Sequence, residues 1–324
     1  GWHSPMLREA ARWLHATFGT GDEVDLGALI IAVASRRGGR RLLELIVEST
    51  GDRRLIPPVI ITSGGLADHL YQDTHPVIDD LDATMLRLAR LRCAPDSQIN
   101  CLVGRRPADN DFARWFDLAG QCADLNEALS AEALGPTNVL ELAGDLLPPE
   151  AIERWETVAA LQDDYENALA QQQRQDRHMA RSAALGSNGE RFGQPVVLVG
   201  TVDLNRITRK LLQARATQVV ALVHAPKQME HGFDEFGCLC TSTWSTQPID
   251  LPSKSLRVVE RWADQPSATL QSLSDLTRDH ALTIDDVTIG LGDAALESHL
   301  QRRFAHAGIP VHRPTGTMLQ ATAP

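Results

Sequence analysis

Short, unbroken apolar runs spaced one helix apart constrain this chain more than any other feature. ALIIAVAS (28–35) and VIIT (59–62) flank LLELIVES (42–49), in which Leu42, Leu45, Ile46 and Ser49 share one helical face. Apolar runs without polar alternation are buried on both faces, as in a parallel sheet. Gly51 stands where a helix C-cap belongs, and Pro57-Pro58 stops any continuation. The stretch from Ala28 to Tyr71 therefore reads strand, helix, strand and then a turn into the helix LADHLY, with a right-handed crossover. The same alternation returns later, in PVVLVG (195–200), LNRITRKLLQAR (204–215) and TQVVALVHAP (217–226).

Between the two blocks the pattern turns helical. Helices are expected over 79–92, 109–134 and 149–184, with a short strand or turn near Asn100–Val103. A polar stretch, QQQRQDRHMAR, and a Gly/Ser/Asn linker at 186–189 lead back to the sheet. An opening helix over 4–18 has Ser4 as its N-cap and Pro5 at its first position. After an irregular stretch from 227 to 254 a second, smaller α/β unit is expected. It comprises LRVVERWA (256–263), a helix over 266–280, the strand DVTIGL (286–291), a helix over 293–308 and IPVH (309–312). The pattern stops at Thr317–Pro324, so the remaining strands are expected further along a longer chain. The fold class is α/β: a parallel-sheet domain (1–78 plus 190–254), a helical insertion (79–189) and a partial second α/β domain (255–324).

Composition removes several classes of function. Apolar residues make up 43% and charged residues 23%, as in globular domains. No run approaches the roughly 18 apolar residues of a membrane span, and the N-terminal stretch carries charges that a signal peptide would not. The cysteines (93, 101, 122, 238 and 240) are scattered, and Cys238-Leu-Cys240 lacks the two-residue spacer of a metal knuckle. Neither a metal nor another cofactor is expected in this stretch, and reduced thiols imply a cytoplasmic setting. A net charge of −11 argues against a wholly basic nucleic-acid binder but leaves room for a local basic groove.

The common catalytic signatures for phosphate loops, zinc proteases, serine hydrolases and dinucleotide binding are absent. Asp79-Asp80, Asp163-Asp164 and Asp285-Asp286 read as caps or solvated faces, Asp203 as the N-cap of the 204–215 helix, and His224 as a packed histidine. The turn Arg36-Arg37-Gly38-Gly39-Arg40-Arg41 stands apart. It lies at the carboxyl end of a buried strand, where open α/β sheets bind ligands, and its charge points to an anion such as a phosphate chain. The turn after VIIT would lie beside it. Ser35, Arg36, Arg37, Thr62 and Ser63 are the candidate binding residues, offering hydroxyls, guanidinium forks and backbone N–H groups to successive phosphates. Arg40 and Arg41 lie further into the helix, where one either joins them or pairs with Glu44 or Glu48. The other reading of the same crevice is a small-molecule, transferase-like α/β enzyme.

The order of these pieces resembles a superfamily I helicase motor, and more closely its degenerate relative, the AddB-type subunit of the AddAB helicase–nuclease. ALIIAVAS followed by RRGGRRLLELIVE resembles motif Ia, a strand ending Thr-Phe-Thr before a helix, and the arginine turn is similar to the Pro-x-Arg-Arg-like turn of the AddB branch. VIITSGGLADHLY resembles the next motif, with Thr62 kept and Ser63-Gly64 replacing Phe-His. The helical block sits where the 1B subdomain is inserted. PVVLVGTVDLNRITRKLL is similar to the AddB form of the Walker B strand, with Val199-Gly200 in place of the Asp-Glu pair. DDVTIGLGDAALESHLQRRFAHAGIPVH resembles the opening of the 2A domain, with Gly292 where a helicase has its arginine. Gly1-Trp2-His3-Ser4 stands where Gly-Lys-Thr would precede the first helix.

The resemblance implies a P-loop NTPase/helicase-like (RecA-like) domain that has lost its phosphate loop. Without the lysine, the acid pair and the arginine, nucleotide hydrolysis is not expected. It further implies a non-catalytic DNA-binding scaffold in double-strand break processing and recombinational repair, with single-stranded DNA and an AddA-like helicase–nuclease subunit as partners. The parent chain of such a protein is a PD-(D/E)XK exonuclease with a divalent metal and often an iron–sulfur cluster; these residues carry neither motif.

Overall fold

The computed structural model describes residues 4–186, 193–248, 255–280, 283 and 287–312. The N-terminal block contains α1 (Met6–Phe18), β1 (Gly19–Thr20), β2 (Glu23–Asp25), β3 (Ile30–Val33), α2 (Arg36–Thr50), β4 (Arg54–Ile56) and β5 (Val59–Thr62). A 3₁₀ turn, Ser63–His69, takes the place of the expected LADHLY helix. The helical block holds α3 (Asp80–Cys93), α4 (Asp96–Val103), α5 (Phe112–Ala131), α6 (Pro136–Ala143), α7 (Pro149–Gln171) and α8 (Arg177–Gly186). β6 (Val196–Val199), α9 (Arg206–Arg215), β7 (Val219–Leu222) and the short α10 (Thr241–Trp244) follow. The chain divides into two units, Gly1–Thr246 and Gln247–Pro324.

The apolar runs pair as a four-stranded sheet in the order β5-β3-β6-β7, and every pair is parallel. Strand side chains alternate between faces, so each run supplies two cores. Ile30, Ala32, Val196 and Leu198 meet Leu66, Leu70, Ile207 and Leu211 on one face. Ile31, Val33, Val197 and Val199 meet Leu14 of α1 and Leu42 and Ile46 of α2 on the other. Covering both faces is what lets β3 and β6 be buried throughout. A small second sheet, β1-β2-β4, escapes sequence reading because its strands are two or three residues long.

The helical block leaves and rejoins the sheet through a narrow neck. The Ile78 amide donates to the Gln175 carbonyl (2.9 Å), and the Gln175 amide donates to the Pro76 carbonyl (3.2 Å). Its core gathers Leu88, Leu91, Ile99, Leu118 and the fully buried Trp115, whose indole N–H donates to the Ala108 carbonyl. Arg181 of α8 fastens the block to the sheet's 3₁₀ turn by a two-pronged bond to Asp68 (2.7 and 2.9 Å).

Several local expectations are corrected. Residues near Asn100–Val103 form the end of α4, whose Ile99 is drawn into the Trp115 core. The expected 149–184 helix is broken after Gln171, where Gln173 adopts φ 53° and Asp176 accepts from the His178 and Met179 amides to start α8. Pro5 is the N-cap of α1, while the Ser4 hydroxyl donates to Glu9 (2.6 Å). Asn205 caps α9 by accepting from the Thr208 amide (3.1 Å), and Asp203 stays exposed.

In the second unit, α11 (Gln265–His280) and α12 (Leu296–His306) pack through Leu273, Leu300 and Phe304. Among its described residues there is no strand: Val287–Leu291 and Ile309–His312 run irregularly, against the expected α/β pattern. A single extended segment without a neighbour leaves its backbone groups unpaired, so apolar alternation alone does not make a strand. Gly1–His3, the linker at 187–189, Asp285-Asp286 and Thr317–Pro324 lie outside the described residues.

Candidate functional site

Consecutive strands run from β3 outward to β5 and from β6 outward to β7, so the winding reverses between β3 and β6. At such a reversal the carboxyl ends of the strands open a crevice. The β6–β7 end is closed over by α1. Gly200, at φ 59°, sits so close to Met6 that a Cβ would lie 2.5 Å from its sulfur. The hollow left there, of about 330 Å³, is lined mainly by apolar groups including Val202, Val223, Phe233 and Leu239. His224 is held by the Ser4 carbonyl (2.8 Å), and burial pushes the Cys238 thiol up to about 11. Both are packed groups.

The β3–β5 end differs. Ser35 caps α2 by accepting from the Gly38 amide (3.1 Å), which leaves its own O–H free to donate outward. β3 and β5 pair with Val33 opposite Thr62, so the two turns lie side by side. Arg36 and Thr62 face a shared groove of about 480 Å³, whose other walls include Arg40, Leu43, Ile60 and His69. Ser35, Arg37 and Ser63 stand at the exposed or half-buried rim and do not line it. Neither Thr62 nor Ser63 has a side-chain hydrogen bond to another described residue.

Of the two arginines left open, Arg40 joins the groove, and His69 is a groove residue that sequence reading missed. The signal for Arg40 was helical spacing: Arg36, Gly39, Arg40 and Leu43 fall at i, i+3, i+4 and i+7, a single face. Arg37 and Arg41 point round the other side. There Arg41 bonds Glu44 (2.8 Å) and Glu48 (3.1 Å), which raises its pKa. Gly39 allows α2 to lie on the sheet edge, since a Cβ there would come within 2.9 Å of Ile60. Nothing in sequence placed His69, which depends on the 3₁₀ turn.

Arg36, Arg37 and Arg40 have no ion pair or hydrogen bond among the described residues. They stand at the N-terminal end of α2, where the helix dipole already repels cations. Beyond them the same face of α2 continues with Leu43 and Val47, 37% and 54% exposed. The groove thus combines unneutralised guanidinium groups, free hydroxyls and an apolar wall. No family model matches the chain, and no curated protein matches it significantly. Among the described residues no helix is long and apolar enough to cross a membrane.

Proposed function

We propose that this chain is a helicase-like, RecA-type scaffold of the AddB kind, which holds single-stranded DNA along the α2–β5 groove without hydrolysing nucleotide. In this reading it works beside an AddA-like helicase–nuclease subunit in the cytoplasm, during break processing and recombinational repair. One observation carries it: Arg36 and Arg40 line one wall of a groove opposite Thr62, with no carboxylate among the described residues to neutralise them. Phosphates would take that role. Leu43 and Ile60 give bases an apolar surface, as strand-binding grooves do. The missing Lys, Asp-Glu and Arg signatures support a grip without turnover.

Fluorescence anisotropy with a labelled oligothymidylate tests the reading. Replacing Arg36 and Arg40 with alanine is expected to weaken binding by about 1–3 kcal/mol in total, on the scale of charge-assisted bonds. The slope of log affinity against log salt should flatten by about two units. Arg37→Ala, at the rim, should lose less. Equal binding by the double variant and the parent chain, or no binding by the parent chain at about 50 mM salt, would refute the reading.

A further inference from the structure

A second hollow lies in the helical block, in a groove of about 320 Å³ between α5 and α7, with the last turn of α4 beside them. Helical spacing builds its walls. Ala151, Arg154, Trp155 and Val158 fall at i, i+3, i+4 and i+7 and form one face of α7. The run from Leu118 to Leu125 repeats that spacing on α5, with Cys122 at its middle. Stripes of this kind normally close on a neighbouring helix. Here α5 packs on α3, and α7 packs on α3, α4 and α6, so the two stripes face the groove rather than each other. Burial pushes the Cys122 thiol above its ordinary pKa, which keeps it neutral.

Size and charge indicate the occupant. Each stripe spans two turns, about 10 Å, so the groove has a cross-section of roughly 30 Å². That admits one aliphatic chain and excludes a partner helix, which is about 10–12 Å across with its side chains. The lining is mostly apolar, and its polar groups are the Gln121 amide, the Arg154 guanidinium and the Trp155 indole N–H. None of the three has a side-chain hydrogen bond or ion pair to another described residue. All three can donate, and two of them can only donate. Although the chain carries a net charge of −11, no described carboxylate lines the groove. Glu150, Glu153 and Glu156 of α7 lie off the stripe. What stands open is one positive charge with neutral donors beside an apolar bed.

We propose that this groove binds a medium-chain aliphatic carboxylic acid as its anion, with the carboxylate on Arg154 and the chain between α5 and α7. Arginine–carboxylate bonds are charge-assisted, and one guanidinium balances one carboxylate. The site lies apart from the α2–β5 groove and does not rest on the DNA reading.

Isothermal calorimetry on the full chain tests it, with decanoate as the probe. Decyltrimethylammonium, with the same chain and the opposite charge, should bind at least about tenfold more weakly, and so should acetate, the head without the chain. R154Q should weaken decanoate binding by about tenfold, on the scale of a charge-assisted hydrogen bond, and R154K should keep part of the affinity. Arg154 is exposed, so both variants should melt with the parent chain. A151W should block the groove by filling it. Location has its own readout: decanoate should slow alkylation of Cys122 by iodoacetamide and leave the exposed Cys93 unaffected. Absence of decanoate binding, equal binding by decyltrimethylammonium, unchanged affinity in R154Q or an unprotected Cys122 overturns the proposal. Tighter binding by acetyl-Ala-Val-Leu with a free terminal carboxylate also overturns it, and gives the groove to a partner's C-terminus.

Discussion

In the helical block, arginines meet carboxylates across helices: Arg87 faces Asp176 (3.4 Å), Arg90 grips Asp164 (2.6 Å), and Arg177 pairs with Asp80. On α2, Arg36, Arg37 and Arg40 meet none among the described residues, although Arg41 of the same helix meets two. The comparison separates two uses of one residue type. Guanidinium groups in the block hold helices in register, and their positions are explained by the fold. Those at the start of α2 oppose the helix dipole and gain no partner among the described residues, so fold stability does not account for them. A ligand does.

The sharpest way to break this contrast is to remove a paired and an unpaired arginine and compare stabilities. Arg87→Leu leaves Asp176 buried without its countercharge and strips Gln162 of its donor, so a loss of about 3–5 kcal/mol is expected in urea denaturation. Arg36→Ala with Arg37→Ala should move the other way. Removing two cations from the first turn of α2 is expected to raise stability by up to about 1 kcal/mol at low salt, with the gain fading as salt screens the dipole. If that double variant falls as far as Arg87→Leu, the α2 arginines are structural after all and the contrast collapses.

The contrast also shows which parts of the molecule are legible in sequence. The sheet is, because β3, β5, β6 and β7 are four-residue, almost wholly apolar strands without polar alternation, and the central β3 and β6 are buried on both faces. The arginine run, expected as a turn but forming the first turns of α2, is legible as a cluster, and helical spacing could have sorted Arg36 and Arg40 from Arg37 and Arg41. The helical block is less so. Its breaks depend on tertiary choices, such as Gln173 entering the left-handed region so that Asp176 can cap α8 and meet Arg87. A buried pair whose members are separated by 89 residues leaves no local pattern. DVTIGL has the composition of a strand, yet strand formation depends on a partner that lies elsewhere in the chain.

The smallest effect gives the finest comparison, because only paired arginines have a carboxylate to lose in acid. The hydrogen bond from Arg90 holds the Asp164 pKa below its ordinary 3.8. A depressed carboxyl pKa stabilises the fold above the unfolded-state value, and the contribution is lost as pH falls through the folded one. The two side chains are 39% and 41% exposed, so water screening limits the pair to about 0.5 kcal/mol. A double-mutant cycle of Arg90→Gln and Asp164→Asn should show that coupling at neutral pH, shrinking as pH falls from about 5 to 3. The stability difference between the parent chain and the Arg36/Arg37 variant should stay level over the same range, since no carboxylate among the described residues pairs with those guanidinium groups. A parallel decline would mean that an acid reaches the α2 arginines in solution, and the groove would then be neutralised from within.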